Sequence, residues 1–425
     1  MLEHDKPVTR AWVLHPEIRS TAARREATAA LEEAVSLAAA LPDLDVLGSD
    51  LVRLAKVHPG TLFGSGKIEE LRSLFKVNDV ELVLVDGPVT PVQQRNLEKA
   101  WKVKLLDRTG LILEIFGDRA RTAEGVLQVE MAALSYQRTR LVRAWTHLER
   151  QRGGLGFVGG PGETQIEADR RAIDEQLVRL RKQLAKVAKT RELHRSARAK
   201  VPFPIVALVG YTNAGKSTLF NRVTGSDVFA KDMLFATLDP TMRRIELPAG
   251  DEVIMSDTVG FISDLPTELV AAFRATLEEV LDADLIVHVR DISHPQTQEQ
   301  AEDVEAILQS LGVAEGAPVI EVWNKIDQLT NDEQSAIQAQ VARKDGLFAI
   351  SALTGEGVPS LMSAIAETVQ EPRVRDTISL PYGAGKLRAW LFESGIVESE
   401  IQMDEGSVLT VQWTTTQKAR FDKMR

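Results

Sequence analysis

A continuous apolar run, Ile205 to Val209, meets a glycine loop, Gly210-Tyr211-Thr212-Asn213-Ala214-Gly215-Lys216-Ser217-Thr218, and Leu219-Phe220 begin a helix beyond it. The spacing is Gly-x-x-x-x-Gly-Lys-Ser in a strand–loop–helix setting, which is the context a phosphate loop needs. Backbone N–H groups from Asn213 to Lys216 would form a concave anion nest at the positive end of a helix. Lys216 would place its ammonium between the β- and γ-phosphates of a nucleotide, and the Ser217 hydroxyl would bind Mg²⁺. The plain alternative is a glycine turn that merely precedes a helix. The motifs downstream count against it.

Four further elements follow in chain order. Phe235-Ala236-Thr237-Leu238-Asp239-Pro240-Thr241 lies in a loop after the first helix. A threonine there can ligate Mg²⁺ and sense a γ-phosphate through its backbone N–H; Thr237 is the first choice and Thr241 the reserve. Asp257-Thr258-Val259-Gly260 follows a strand over Glu252 to Met255. Asp257 would hold Mg²⁺ through water, and the Gly260 N–H would reach the γ-phosphate, although an Asp and a Gly after a strand are also ordinary turn chemistry. Asn324-Lys325-Ile326-Asp327 is more specific. The Asp327 carboxylate can accept from guanine N1–H and the 2-amino group, and adenine would leave a buried carboxylate unpaired. The Lys325 stem would cover the base, Asn324 would brace the loop, and Ser351-Ala352-Leu353 would offer a backbone N–H to guanine O6. Five elements in this order define a site for GTP and GDP, with Lys216, Thr237 and Gly260 as its catalytic groups.

One position departs from the Ras-like pattern. Where those switches place a glutamine that orients the attacking water, this chain has Phe261. Unstimulated turnover should be slow, with the missing group supplied by another loop, an ion or a partner. Asn213 bears on this in two ways. It can help hold a potassium ion bridging the phosphates, or it can hydrogen-bond its own loop, which asparagine does well. Both readings stay open at the level of sequence.

The elements that must position these residues can be read from composition and pattern. At 425 residues the chain exceeds one core, and about 150 residues per domain suggests about three domains. Apolar content of 44% with 26% charged residues is the profile of a globular protein. No apolar stretch is long enough for a bilayer, no signal-peptide pattern opens the chain, and the absence of cysteine excludes disulfides and thiolate chemistry. The expected compartment is the cytoplasm. The net charge of −10 conceals an asymmetry: residues 138–200 carry 16 Arg and Lys against seven Asp and Glu. A basic segment in an acidic chain is a candidate polyanion contact.

Residues 1–118 alternate strands (Trp12–Leu14, Val80–Asp86, Val103–Leu106) with helices (Thr21–Leu41, Pro91–Trp101, and one beginning over Leu111–Phe116), the pattern of a small α/β unit. Phe63-Gly64-Ser65-Gly66-Lys67 imitates a second phosphate loop but has the wrong spacing, and reads as the turn into a helix. Residues 119–201 change period. Leu127, Met131, Leu134, Leu141, Trp145 and Leu148 follow a 4-3 spacing broken at Arg138, and Ile173, Leu177, Leu180, Leu184 and Val187 repeat it, with Ile166 upstream. Two such seams predict an antiparallel helical hairpin. Its connector, Gly153 to Gly162, mounts Leu155, Phe157 and Val158 among glycines, and apolar residues on such a tip suggest contact with a partner rather than a floppy turn. Residues 202–372 resume strand–helix alternation as a doubly wound, mostly parallel sheet with its ligand site at the strand carboxyl ends. Residues 373–425 form a small α+β unit, with a helix over 383–394, a strand over 408–413 and no visible chemistry.

These motifs together resemble the HflX family of translational GTPases. The likeness rests on Gly210-Tyr211-Thr212-Asn213-Ala214-Gly215-Lys216-Ser217, Phe235-Ala236-Thr237-Leu238-Asp239-Pro240-Thr241, Asp257-Thr258-Val259-Gly260-Phe261, and the Gly-Gly-x-Gly connector leading into Pro161-Gly162-Glu163-Thr164-Gln165. It extends from the N-terminal α/β unit to the end of the G domain, and Phe261 matches the family's hydrophobic residue in place of glutamine. The resemblance implies a GTP-driven factor that binds the large ribosomal subunit and separates stalled ribosomes; the chain is expected to be a monomer. In that picture the N-terminal unit and hairpin enter the subunit, with the tip near the peptidyl-transferase region. The basic hairpin suits rRNA phosphates independently of the family. One alternative is a ribosome-assembly or tRNA-modification factor, which shares the G motifs but is at odds with the 4-3 hairpin and its glycine loop. Another is a GTP-regulated RNA chaperone or helicase, which predicts action on free RNA rather than stimulation by large subunits.

Overall fold

The computed structural model describes residues 8–18, 26–151, 165–198, 203–226, 234–235, 241–248, 250–263, 280–281, 283–313, 318–369, 374–403, 406–413 and 415–424. Its first unit contains β1 (Thr9–Ile18), α1 (Ala27–Ala39), β2 (Leu44–Leu54), α2 (Ser65–Val77), β3 (Leu82–Val85), α3 (Pro91–Trp101), β4 (Lys104–Asp107) and α4 (Arg108–Arg119). The strands form a parallel sheet in the order β2-β1-β3-β4. Val83, Leu84 and Val85 are buried, as a parallel strand covered on both faces requires. Helix α3 begins with a reciprocal cap between Thr90 and Gln93 and Pro91 in its first turn, where the absent N–H matters least. The Phe63–Lys67 segment does lead into a helix, with Lys67 paired to Glu70 at 2.6 Å. Strand β2 escapes the sequence reading because Asp45, Gly48, Ser49 and Asp50 break its apolar run. Pairing with β1 along its length holds it in place.

The hairpin consists of α5 (Ala123–Gln151) and α6 (Gln165–Arg198). Gln176 donates to Glu130 and Arg138 pairs with Asp174, so partners descend one helix as they ascend the other. This is the antiparallel arrangement that the two seams predict. On α6 the seam is as read: Leu177 and Leu180 are buried, Ile173, Leu184 and Val187 half-buried, and the basic residues between them exposed. Helix α5 differs. Leu127, Met131 and Leu134 are only half-buried, while Val129 and Ala132 join the core of the first unit with Ile112, Ile115 and Phe116 of α4. A 3.6-residue period lets one helix serve two neighbours, and the 4-3 spacing names only one of its faces. The seam side chains Leu141, Trp145, Leu148 and Ile166, and the tip residues Leu155, Phe157 and Val158, lie outside what the structure describes.

The next unit contains β5 (Ile205–Gly210), α7 (Lys216–Thr224), β6 (Thr241–Glu246), β7 (Glu252–Asp257), β8 (Leu285–Asp291), α8 (Thr297–Leu311), β9 (Val319–Asn324), α9 (Asn331–Val341), β10 (Leu347–Ala349) and α10 (Val358–Val369). Its sheet runs β10-β9-β8-β5-β7-β6, parallel except for β6 against β7. Successive side chains of β5 face opposite ways: Val206 and Leu208 join a core with Leu361 and Ile365 of α10, and Ala207 and Val209 join the other core. That second core is continuous with the first unit, where Phe116 meets Phe235 edge-on at 4.6 Å. The last unit pairs β11 (Val374–Pro381), β13 (Gly406–Trp413) and β12 (Val397–Met403) in antiparallel order, with α11 (Gly385–Glu393) and α12 (Thr415–Met424). Leu380, Leu391, Leu409, Trp413 and Phe421 give it a core of its own. Among the described residues no helix is long and apolar enough to cross a membrane.

Candidate guanine-nucleotide site

The predicted motifs converge at the carboxyl ends of β5, β7, β9 and β10, where a doubly wound sheet takes its ligands. Two glycines are dictated by close approach. A Cβ on Gly210, at φ +152°, would stand 2.1 Å from the Val289 carbonyl oxygen of β8. Gly215, at φ +92°, would put one 2.2 Å from Asn324 Nδ2. Both conformations favour glycine. Asn213 is left-handed, at φ +59°, and exposed, as asparagine tolerates.

Lys216 is buried at the start of α7, its ammonium donating to the carbonyls of Gly210 (3.1 Å) and Tyr211 (2.8 Å). Burial lowers this amine to about 8, against the opposing pull of Asp257. The Ser217 hydroxyl donates to the Asp257 carboxylate at 2.7 Å, and Asp257 is fully buried. A hydroxyl and a carboxylate brought together at a phosphate loop are an oxygen donor set that suits Mg²⁺. Thr258 turns inward and donates to the Leu208 carbonyl at 2.6 Å, a strand-anchoring contact. Thr237 lies outside the described residues, and Thr241, the reserve, opens β6 opposite Asp257.

The segment after Asp257 is stapled to the phosphate loop. The Thr212 N–H donates to the Phe261 carbonyl at 2.7 Å and the Phe261 N–H to the Gly210 carbonyl at 3.1 Å. Gly260 is wedged beneath: a Cβ there would lie 2.8 Å from Thr212 Cγ2 and 3.1 Å from Lys216 Nζ. The Phe261 ring is fully buried in the core shared with the first unit. It packs, and has no atom to offer a water.

Asn324 ties the guanine loops to the phosphate loop. Its Nδ2 donates to the Ala214 carbonyl at 2.8 Å, and its Oδ1 accepts from the Ala352 N–H at 2.9 Å. Lys325 is left-handed at φ +67° and its ammonium meets Asp291 at 2.7 Å. Arg222 of α7 donates to the carbonyls of Ala352 (2.6 Å) and Leu353, fixing the Ser351–Leu353 loop from behind. The Ser351 hydroxyl accepts from the Thr354 N–H at 3.0 Å. Asp327 sits in a single 3₁₀ turn, Ile326–Gln328, with an exposed carboxylate. The buried carboxylate expected from the sequence is therefore not found here.

Sequence reasoning missed the residues that hold the loops: Asp291, Arg222, and a group behind the phosphate loop. The Tyr211 side chain turns away from the cradle and donates to Glu33 of α1 at 2.5 Å, and its oxygen accepts from the Ser263 N–H at 2.8 Å. Arg108, buried, donates to Glu33 (2.6 Å), Asp86 (2.6 Å) and the Ser263 carbonyl (2.9 Å). Burial would raise the Asp86 carboxyl, but the hydrogen bond with His15 and the charge of Arg108 hold it below the usual carboxylate range. No local spacing marks these residues. They belong to different elements that only the tertiary fold brings together.

A mostly parallel sheet whose strand β5 ends in a phosphate loop, braced by Asn324 to a guanine-type loop pair, defines a guanine-nucleotide-binding P-loop protein. The chain matches, in order, families described as GTP-binding GTPase N-terminal (residues 28–117), GTP-binding GTPase middle region (119–198), 50S ribosome-binding GTPase (205–325) and HflX C-terminal domain (336–424). It is 47% identical to the GTPase HflX of Magnetococcus marinus over 96% of this chain and 93% of that protein. Identity to the GTPase HflX of Escherichia coli (strain K12) is 46%, over 83% of this chain and 82% of that one. In fold it is similar to the SsGBP–GDP crystal structure, with a TM-score of 0.50 at 22% identity, covering 84% of this chain and 98% of the other. The chain belongs to the HflX family of GTPases and is a GTP-hydrolysing enzyme.

Proposed function

We propose that the protein is a monomeric cytoplasmic factor that binds the large ribosomal subunit through its basic hairpin and uses GTP to split stalled ribosomes. The observation that carries this reading is α6. A single buried seam leaves most of the rest of its described surface exposed, with Arg170, Arg171, Arg179, Arg181, Lys182, Lys186 and Lys189 on it. That surface suits rRNA phosphates, and the match of residues 205–325 to a family described as 50S ribosome-binding GTPase supports the same partner. We assign four functional units: 1–118, the hairpin 119–201, the GTPase unit 202–372 and the C-terminal unit 373–425.

At the nucleotide, the N–H groups of Asn213 to Lys216 cradle the phosphates and Lys216 neutralises charge developing on them. Gly260 presents its N–H to the γ-phosphate, and Lys325, Asp327 and the Ser351–Leu353 loop hold the guanine, with Asn324 bracing the loops. Ser217, Asp257 and Thr237 would hold Mg²⁺, which when bound offsets charge on the β- and γ-oxygens. Phe261 cannot orient water, so basal turnover is slow. We assign the compensation to Asn213, whose exposed, left-handed position leaves its amide available to help hold K⁺.

The test is GTP turnover with and without purified 50S subunits, for the natural chain and for one with Leu155, Phe157 and Val158 replaced by serine. Large subunits should stimulate the natural chain, and the substituted chain should lose stimulation and splitting while keeping basal turnover. Turnover indifferent to 50S subunits, or undiminished splitting by the substituted chain, overturns the ribosome reading.

A further inference from the structure

The order β2-β1-β3-β4 reverses between β1 and β3, and in an open parallel sheet the crevice outside the carboxyl ends at such a point is where ligands bind. Around it stand His15 on β1, Asp86 after β3, Arg108 after β4 and Glu33 on α1. In this molecule the phosphate loop itself meets that cluster. Tyr211 reaches Glu33, and Ser263 meets Arg108 through its carbonyl. The Ser263 hydroxyl also approaches the Tyr211 oxygen at 2.7 Å and donates to Asp303 of α8 at 2.6 Å. Tyr211 and Ser263 flank the two backbone bonds that staple Phe261 to Gly210 and Thr212. Gly260 stands immediately before that staple, against Lys216.

We infer that Glu33 and Arg108, which lie outside the GTPase unit, are positioning residues for γ-phosphate recognition, fixing Tyr211 and Ser263 so that Gly260 is held beside Lys216. The chain of cause is short. Glu33 orients the Tyr211 hydroxyl, which takes the Ser263 N–H, and Arg108 fixes the Ser263 carbonyl. Residues 261–263 are thereby held at both ends, and the backbone of Gly260 has little freedom left. Such a device acts on GTP and not on GDP, because only GTP carries the phosphate that Gly260 would meet. By linkage, GTP tightens the grip of the first unit on the GTPase unit by the same factor.

The inference rests on the proposed role of Gly260, and the experiment separates the two. Fluorescent GTP and GDP affinities are measured on the full chain for Glu33→Gln, Tyr211→Phe, the double variant, and Gly260→Ala, with melting temperatures alongside. Glu33→Gln and Tyr211→Phe should each weaken GTP by about fivefold or more, in the usual range of coupling between sites, with GDP changed less than twofold. The double variant should fall short of the product of the two, since both act on the shared Tyr211–Glu33 hydrogen bond. The GTP-to-GDP ratio is the readout that a merely structural contact would not move. A lowered melting temperature with an unchanged ratio in both single variants overturns the inference. If Glu33→Gln fails to fold, Glu33→Asp, which keeps the charge beside Arg108 but shortens the reach to Tyr211, takes its place beside Tyr211→Phe. If Gly260→Ala leaves GTP affinity intact, the role of Gly260 is wrong. If it weakens GTP while neither single variant does, only the positioning role fails.

Discussion

At the scale of single residues, the site is divided between groups that face the ligand and groups that hold them. In the proposed function, Lys216 and Asn213 belong to the first kind. Asn324, Arg222 and Asp291 belong to the second, each spending its polar atoms on a loop rather than on nucleotide. Asn213 carries the sharpest expectation, since a bound cation would stand in for a charge that other GTPases receive from an arginine. Turnover in potassium should exceed that in sodium at equal ionic strength by about tenfold, modest beside the 10³–10⁵ that an arginine supplies. Asn213→Ala should erase the difference. Equal rates in both salts for the natural chain would assign the missing group to the ribosome.

At the scale of elements, legibility followed periodicity. Strand β5, helix α3 and the α6 seam carried patterns strong enough to be read with nearly their observed bounds. Strands β2, β11 and β12 did not, because polar residues such as Asp45, Glu398 and Glu400 interrupt them and their support comes from neighbouring strands. The nucleotide motifs were legible because each is a contiguous stretch whose chemistry fixes its residue types. The Glu33–Arg108–Tyr211 junction was not, since its members are scattered along the chain and ordinary in isolation. The hairpin allows a test at this scale. Leu177 is 2% exposed in the α5–α6 seam, and Leu177→Ala should destabilise the hairpin by about 3 kcal/mol, a typical loss for a buried leucine. Circular dichroism during thermal melting would register it as an earlier helical transition. Basal GTP turnover should hold steady, and a fall would mean that hairpin packing reaches the nucleotide site.

At the scale of the whole molecule, the first unit and the GTPase unit share one apolar core, whereas the C-terminal unit has a separate one. A chain ending at residue 373 should therefore keep nucleotide affinity and basal turnover within about twofold, as removal of a unit with its own core permits. Titration with fluorescent GTP checks this. A large loss would show that the C-terminal unit supports the guanine loop after β10. The contact between Gly215 and Asn324 reaches further, into how such a chain can change over generations. Because the Asn324 amide fills the place where any side chain at 215 would begin, position 215 could enlarge only if position 324 first gave up its amide. That first step would cut the brace to both loops and be lost to selection before the second arose. Two motifs far apart in the chain are thus locked into one heritable unit, and drift in either must stop at the other.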